Sequence, residues 1–120
     1  MNRVNAERVP AKAAEAAVGR LREMSPDLRG CALVGPGGEV LAATGEADRW
    51  GLPAVELLSA ADAAGGELAG HVHVATEDGE AFAVRHEGLA MVAVAERFTL
   101  ASLMIFDMRA VLRDLAKGAG

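Results

Sequence analysis

The sequence predicts a mixed α/β (α+β) domain whose elements follow the order α-β-β-α-β-β-β-α. Apolar residues recur at helical spacing near both ends of the chain, and short apolar runs separated by turn residues lie between them. The length of 120 residues fits one compact domain, and 52 % hydrophobic residues are enough for a packed core. We therefore interpret residues 1–120 as a single domain.

Both ends of the chain predict amphipathic helices. The first helix is expected to begin near Pro10 and to end before Ser25, because Pro26 restricts the preceding residue to extended geometry. Its apolar residues are Ala13, Ala17, Val18 and Leu21. The last helix is expected to be capped by Thr99. Its apolar residues follow 4-3-4 spacing at Met104, Met108, Val111 and Leu115.

The stretch "CALVGPGGEVLAATG", residues 31–45, predicts two strands joined by a turn. A dinucleotide-binding loop needs glycine at its first, third and sixth positions and leads into a helix. Gly35 and Gly37 fit, but Val40 occupies the sixth position and a strand follows. A P-loop would need Gly-Lys-Ser/Thr at its end, which is missing here. The glycines therefore predict a hairpin turn.

The second half of the chain predicts a short helix at about residues 53–64 and three more strands. Asp78-Gly79 is a strong hairpin signal between "LAGHVHVAT" and "AFAVRHE", and Gly88 turns the chain into "LAMVAVAER". A two-residue turn at Asp78-Gly79 would place His71 directly opposite His86, with His73 on the same face. The acidic side chains beside this turn, at Glu77, Asp78 and Glu80, are expected to be solvated.

Two groups of residues are candidates for chemistry. The imidazoles of His71, His73 and His86 could together ligate zinc or sense mild acid, but no fourth ligand accompanies them, and a partly exposed sheet face explains them more simply. Cys31 could be a nucleophile, yet its place within an apolar strand indicates a small buried residue. The sequence predicts no enzyme, no cofactor and no metal site.

Charge and composition exclude several partners. The net charge of −5 and the lack of tyrosine argue against nucleic acid, which basic patches and stacking aromatics bind. No apolar run reaches the roughly 20 residues of a membrane span, so no membrane is expected. A single cysteine fits a reducing compartment, and we expect a cytoplasmic protein.

From about Leu28 to Leu115 the sequence resembles the roadblock/dynein light chain domain family, which is related in shape to profilin and longin domains. The residues that carry the likeness are "LRGCALVGPGGEVLAATG", then "FAVRHEGLAMVAVAER" and the helix "LASLMIFDMRAVLRDLA". The resemblance implies a core at about residues 28–117. It also implies a five-stranded antiparallel sheet with the middle helix on one face and the two terminal helices on the other. The predicted middle helix is shorter than the family's usual one.

The resemblance further implies a homodimer that scaffolds or regulates a small Ras-like GTPase, in bacteria often encoded beside one, without cofactor or catalytic residues. In the family the strand that corresponds to residues 68–76 is the edge of the sheet. The middle helix and this strand are expected to form the dimer or partner interface, through Val55, Leu58, Ser59, Asp62, His71, Val72, His73 and Val74. Because pairing of two such edges would crowd imidazoles, the dimer is expected to weaken as pH falls from 7.5 to about 5.5. The alternative is a ligand-, metal- or pH-sensing module that uses the three histidines.

Overall fold

The computed structural model describes residues 9–44, 53, 56–60, 62–63, 70–75 and 77–119. Three helices and five strands follow the predicted order. They are α1 (Ala11–Met24), β1 (Leu28–Val34), β2 (Val40–Ala43), α2 (described at residues 53, 56–60 and 62–63), β3 (His71–Ala75), β4 (Glu80–His86), β5 (Leu89–Ala95) and α3 (Ala101–Ala119).

The five strands form one antiparallel sheet in the order β2-β1-β5-β4-β3. The neighbouring strands β1 and β5 are mostly buried, because helices cover both faces of the sheet. The strands β2 and β3 lie at the two ends of the order. In β3 four of the five residues are exposed, so the two edges of the sheet differ in burial from its centre.

Both terminal helices pack on one face of the sheet, as predicted. Their buried residues join the inward-facing residues of β1, β4 and β5 in the main core, which includes Leu21, Leu33, Phe82, Met91, Met108 and Leu112. The helix α2 lies on the opposite face, where Leu58 packs with Val34, Ala83 and Val92 in a smaller cluster. None of the helices in the described ranges combines the length and apolarity that a membrane crossing requires.

The glycine-rich stretch after β1 is a turn, which confirms its prediction. Gly35 and Glu39 are joined by a backbone hydrogen bond of 2.8 Å, and Gly38 N–H donates to the Gly35 carbonyl across 3.0 Å. Gly38 has a φ of 88°, which a residue without Cβ adopts at little cost. The chain then enters β2, so the loop does not lead into a helix N-terminus as a nucleotide-binding loop does.

The predicted register between β3 and β4 is wrong. His71 lies opposite Val84 rather than His86, and Ala75 lies opposite Glu80, so the paired residues that flank Asp78-Gly79 are further apart in the sequence than a two-residue turn requires. Gly79 does not have the positive φ of a two-residue type I′ turn. That geometry occurs instead one hairpin later, where Glu87 and Gly88 between β4 and β5 both have positive φ. The shift moves the pairing by two residues, so the histidines keep their predicted face.

The predicted cap of the last helix is also wrong. The helix α3 begins at Ala101, and the Leu100 carbonyl accepts a hydrogen bond from Met104 N–H. The Thr99 hydroxyl donates to the Glu96 carbonyl across 2.6 Å, which stabilises the preceding turn instead of the helix. The 4-3-4 apolar spacing holds, since Met104 and Met108 are fully packed into the core.

Candidate functional site

The strand β3 has one neighbour among the described strands and presents its other side at the end of the sheet. Arg85 N–H donates to the Gly70 carbonyl across 2.8 Å, which fixes the alternation of the ladder between β3 and β4. Because Gly70 faces β4, the N–H and C=O groups of every second residue after it face away from β4. These residues are His71, His73 and Ala75. The edge therefore offers a short row of peptide donors and acceptors, the usual template for pairing with another strand.

His73 is held in place by contacts to β4. Its ring is stacked on Phe82, with the ring centroids 4.5 Å apart and the planes nearly parallel. Its Nε2 donates to Glu80 Oε1 across 2.6 Å, because a carboxylate can only accept. Glu80 is 8 % exposed, so the prediction of a solvated side chain is wrong for this residue, although Glu77 and Asp78 are exposed. A buried carboxylate is stabilised by such a partner.

His71 links the edge strand to α3. The guanidinium of Arg109 lies 2.8 Å from His71 Nδ1, and since a guanidinium only donates, this ring nitrogen is the acceptor and Nε2 carries the proton. His86 lies on β4 opposite Leu89, two residues beyond the position that faces His71. Within the described residues, no three His, Cys, Asp or Glu side chains are grouped to hold a metal ion.

The proposed interface residues of α2 are turned mainly towards the sheet. Leu58 is buried in the smaller cluster, and both oxygens of Asp62 receive hydrogen bonds from Arg85 on β4, at 2.8 and 3.2 Å. Ser59 is exposed, and Val55 lies outside the described residues. On β3, the side chain of Val72 packs against the same cluster, while Val74 on that face is exposed. The exposed part of this candidate surface is therefore formed by Ser59, Val74 and the open edge.

Comparison with protein-family models and with curated protein sequences finds no match. Comparison with solved structures finds the same architecture repeatedly. A Roadblock/LC7 domain from Streptomyces avermitilis superposes with a TM-score of 0.76 at 19 % identity, over 86 % of this chain and 94 % of that one. The chain has the roadblock/LC7 fold.

Two further roadblock-fold structures are described as MglB. The gliding protein MglB from Thermus thermophilus superposes with a TM-score of 0.75 at 16 % identity, over 92 % of this chain and 90 % of that one. An MglB with a tetrameric arrangement gives a TM-score of 0.69 at 15 % identity, over 92 % and 90 % of the two chains. At this level of identity the likeness establishes the roadblock fold, and function has to be argued from particular surfaces.

In this roadblock fold, Cys31 lies at the centre of the sheet with no exposed surface. Its Sγ contacts the Val18 carbonyl at 3.8 Å, and burial raises the pKa of the thiol to about 11. A nucleophilic cysteine needs the opposite shift, because the thiolate is the reactive form. The interpretation of Cys31 as a small buried residue is confirmed.

Sequence reasoning missed the charged partners that fix the edge of the roadblock sheet. Arg109 and Arg85 were not singled out, yet they bind His71 and Asp62. The only sequence signal for Arg109 is its position one residue after Met108 in α3, which places it beside the buried stripe. Neither contact could be derived from local spacing, because each joins elements that are separated by more than 20 residues.

Proposed function

We propose that the chain forms a homodimer through the β3 edge and acts as a non-enzymatic regulator or scaffold of a small Ras-like GTPase. The observation that carries the proposal is the exposed β3 strand at the end of a roadblock sheet, with backbone groups of alternate residues directed away from β4. Antiparallel pairing of two such edges would extend the sheet across both chains and satisfy those groups.

The contacts behind β3 support this assembly because they hold the strand in a pairing-competent shape. His73 is fixed by Phe82 and Glu80, and His71 is fixed by Arg109, so the edge loses little conformational entropy on association. In the dimer, Val74 would meet the partner's strand on the α2 face. The MglB structure with a tetrameric arrangement supports self-association in proteins of this fold.

The regulatory part of the proposal rests on the likeness to MglB and on the resemblance of the sequence to roadblock domains. A glycine-rich turn between strands and a fully buried cysteine support a role in binding rather than catalysis. The exposed side of α2, with Ser59, together with the adjoining edge of β3, is the surface that we propose for the GTPase or the dimer. Location in the cytoplasm stays a prediction from the single cysteine.

Dimer formation is tested by light scattering coupled to size exclusion at about 50 µM chain, well above typical dissociation constants of specific dimers. We expect twice the chain mass of 12.3 kDa. Ala75→Pro removes a backbone donor from the outer side of β3 and is expected to yield a monomer, because edge strands tolerate proline but cannot then pair at that position. Ala75→Ser keeps the donor and serves as the matched control. A monomeric wild type, or an equally dimeric Ala75→Pro variant, would contradict pairing through this edge.

The GTPase part is tested with the purified Ras-like GTPases of the same organism, loaded with fluorescent GDP or GTP analogues. We expect at least one of them to bind the chain and to change its exchange or hydrolysis rate by about tenfold or more. The chain alone is expected to leave GTP unhydrolysed. If no GTPase binds although the chain is dimeric, the proposed regulation of a GTPase is wrong, whereas the proposed dimer is unaffected.

A further inference from the structure

Large apolar side chains are exposed in the connection before α3 and in the first turns of that helix. Of the five large hydrophobic residues that are exposed in the described part of the chain, four fall between residues 98 and 106. Phe98 is 85 %, Phe106 62 % and Leu103 54 % exposed, and Leu100 is the fourth. Such side chains together present an apolar surface on the order of several hundred Å², the size at which a patch on a monomer is often functional.

These residues continue into a second stripe along α3. Its members follow 3-4-3-4 spacing and lie on the side of the helix opposite to the buried residues: Leu103, Phe106, Ala110, Arg113 and Lys117. We call this set the outer stripe. Its apolar members occupy the first half of α3 and its cations the second half, and Ala110 between them is small enough for close approach of a helix. Spacing of this kind is the seam along which two helices pack at a shallow angle.

Phe98, in the connection between β5 and α3, exposes a further aromatic ring. Phe98 has a φ of 65°, a left-handed conformation that costs a bulky residue about 1 kcal/mol or more. The Arg97 guanidinium lies 4.8 Å from the centre of the Phe98 ring, which keeps the ring against a cation at the surface rather than in the core. The apolar end of the outer stripe is therefore extended by one aromatic side chain.

The charges of α3 specify what could cover this stripe. Its two acidic residues are both engaged within the chain, since Asp107 accepts from Ser25 across 3.2 Å and Asp114 pairs with Arg20 at 2.6 Å. Arg113 and Lys117 lie close enough to Asp114 to help lower the pKa of its carboxyl, after the hydrogen bond from Arg20. The second half of the stripe is thus a cationic surface next to a carboxylate that is already paired with Arg20.

We propose that the outer stripe docks an acidic amphipathic helix of another protein, with apolar side chains of that helix against Leu103 and Phe106 and carboxylates against Arg113 and Lys117. The cations at one end and the apolar anchors at the other fix the register and direction of the bound helix. The outer stripe and the β3 edge are formed by different residues, and Arg109, which precedes Ala110 in α3, contacts His71 on β3.

The arrangement disfavours two other occupants. If a second copy packed its α3 against this one, Arg113 and Lys117 would lie against cations or apolar residues of the other α3. Neither cation would meet a carboxylate of that helix that is not already paired within its own chain. An anionic membrane would place negative charge along the whole stripe, including the Phe98 end, where the exposed acid Asp27 lies and its backbone carbonyl accepts a hydrogen bond from Glu96 N–H. A helix with acidic residues at one end avoids both conflicts.

The proposal is tested with two labelled helical peptides of about three heptads that share leucine at the seam positions. One carries glutamate at its charged positions and the other lysine, and anisotropy is measured with the full chain at several salt concentrations. We expect the glutamate peptide to bind and the lysine peptide to bind at least about tenfold more weakly. The double variant Leu103→Ser, Phe106→Ser should bind the glutamate peptide about tenfold or more weakly than the wild type. The double variant Arg113→Gln, Lys117→Gln should also bind it more weakly, and its affinity should depend less on salt concentration.

Because all four substituted side chains are exposed, the variants are expected to keep the thermal unfolding of the wild type. Lys12→Gln is the matched control, an exposed helical position of α1 outside the stripe, and should bind as the wild type does. Equal affinity for the two peptides, or unchanged binding by the Leu103/Phe106 variant, would overturn the proposal. So would stripe-dependent binding of phosphatidylserine vesicles, or a stripe-dependent increase in the mass of the chain alone, which would assign the surface to a membrane or to a second copy.

Discussion

Replacing Gly79 by alanine tests why the hairpin between β3 and β4 has the register that the structure shows. An alanine Cβ at this position would lie 2.6 Å from the Ala95 carbonyl oxygen and 2.7 Å from Arg29 Nη1. The arginine is the end of a flexible side chain and can move, but the carbonyl belongs to β5 in the middle of the sheet. The backbone of β4 or β5 must therefore shift, and overpacking of this kind costs about 1–3 kcal/mol of unfolding free energy.

The matched control is the same substitution at Gly19. This residue lies inside α1, and an added Cβ there meets nothing within 4 Å. Alanine in a helix interior is more favourable than glycine, so Gly19→Ala is expected to stabilise the protein by about 0.5–1 kcal/mol. The two variants carry the same change in composition, and their unfolding free energies should differ from each other by about 1.5–4 kcal/mol, with Gly79→Ala below the wild type and Gly19→Ala above it.

Urea unfolding followed by far-ultraviolet circular dichroism at one protein concentration measures the difference. Midpoints should move in opposite directions with unchanged slopes, and the melting temperature should shift by about 4 °C for each kcal/mol. A Gly79→Ala variant as stable as the wild type would refute the reasoning, because the close approach to Ala95 would then have no energetic consequence. Destabilisation of Gly19→Ala by the same amount would also refute it, since the effect would not depend on the space around the glycine.

Three further predictions follow from the buried polar groups and the edge. Ser25→Ala removes the donor to the buried carboxylate of Asp107 and should cost about 1–3 kcal/mol in denaturant unfolding, whereas the exposed Ser102→Ala should change it by less than about 0.5. The pKa of the Cys31 thiol is about 11 in the folded chain and about 9 in the unfolded chain. Because the unfolded chain releases the thiol proton at lower pH, the free energy of unfolding falls as pH rises from 9 to 11. Over this range the wild type should lose about 2 kcal/mol more of unfolding free energy than Cys31→Ala. Glu80→Ala leaves His73 without its acceptor and should lower both the melting temperature and the dimer affinity, while the exposed Glu77→Ala on the same connection should change neither measurably.

The elements that sequence reasoning predicted are those whose signal repeats along the chain. The apolar spacing of α1 and α3 recurs over several turns, and tertiary packing agrees with it, since Leu21 and Met108 are both in the core. The turn after β1 was also predictable, because Gly38 has the positive φ that glycine tolerates. In each case the local preference and the global fold require the same residue type.

The errors fall where contacts across the fold decide the local geometry. Asp78-Gly79 predicts a two-residue turn. In the structure, the absence of a side chain at Gly79 instead allows the backbone of Ala95, 16 positions further along the chain, to approach closely. Glu80 was predicted to be a solvated acid at a turn, but the strand it opens lies between two neighbours, and His73 supplies its hydrogen bond. The candidate interface of α2 could not be predicted fully either, because the direction of Leu58 and Asp62 depends on the sheet beneath the helix.

The features that remain costly in water lie at the surface of the described part of the chain, because its buried polar groups are satisfied. In the described part of the chain no buried side-chain nitrogen or oxygen lacks a partner, and the one thiol is buried with a raised pKa. The features that remain costly in water are the open backbone of β3 and the apolar residues of the outer stripe. Each would be stabilised by a protein partner.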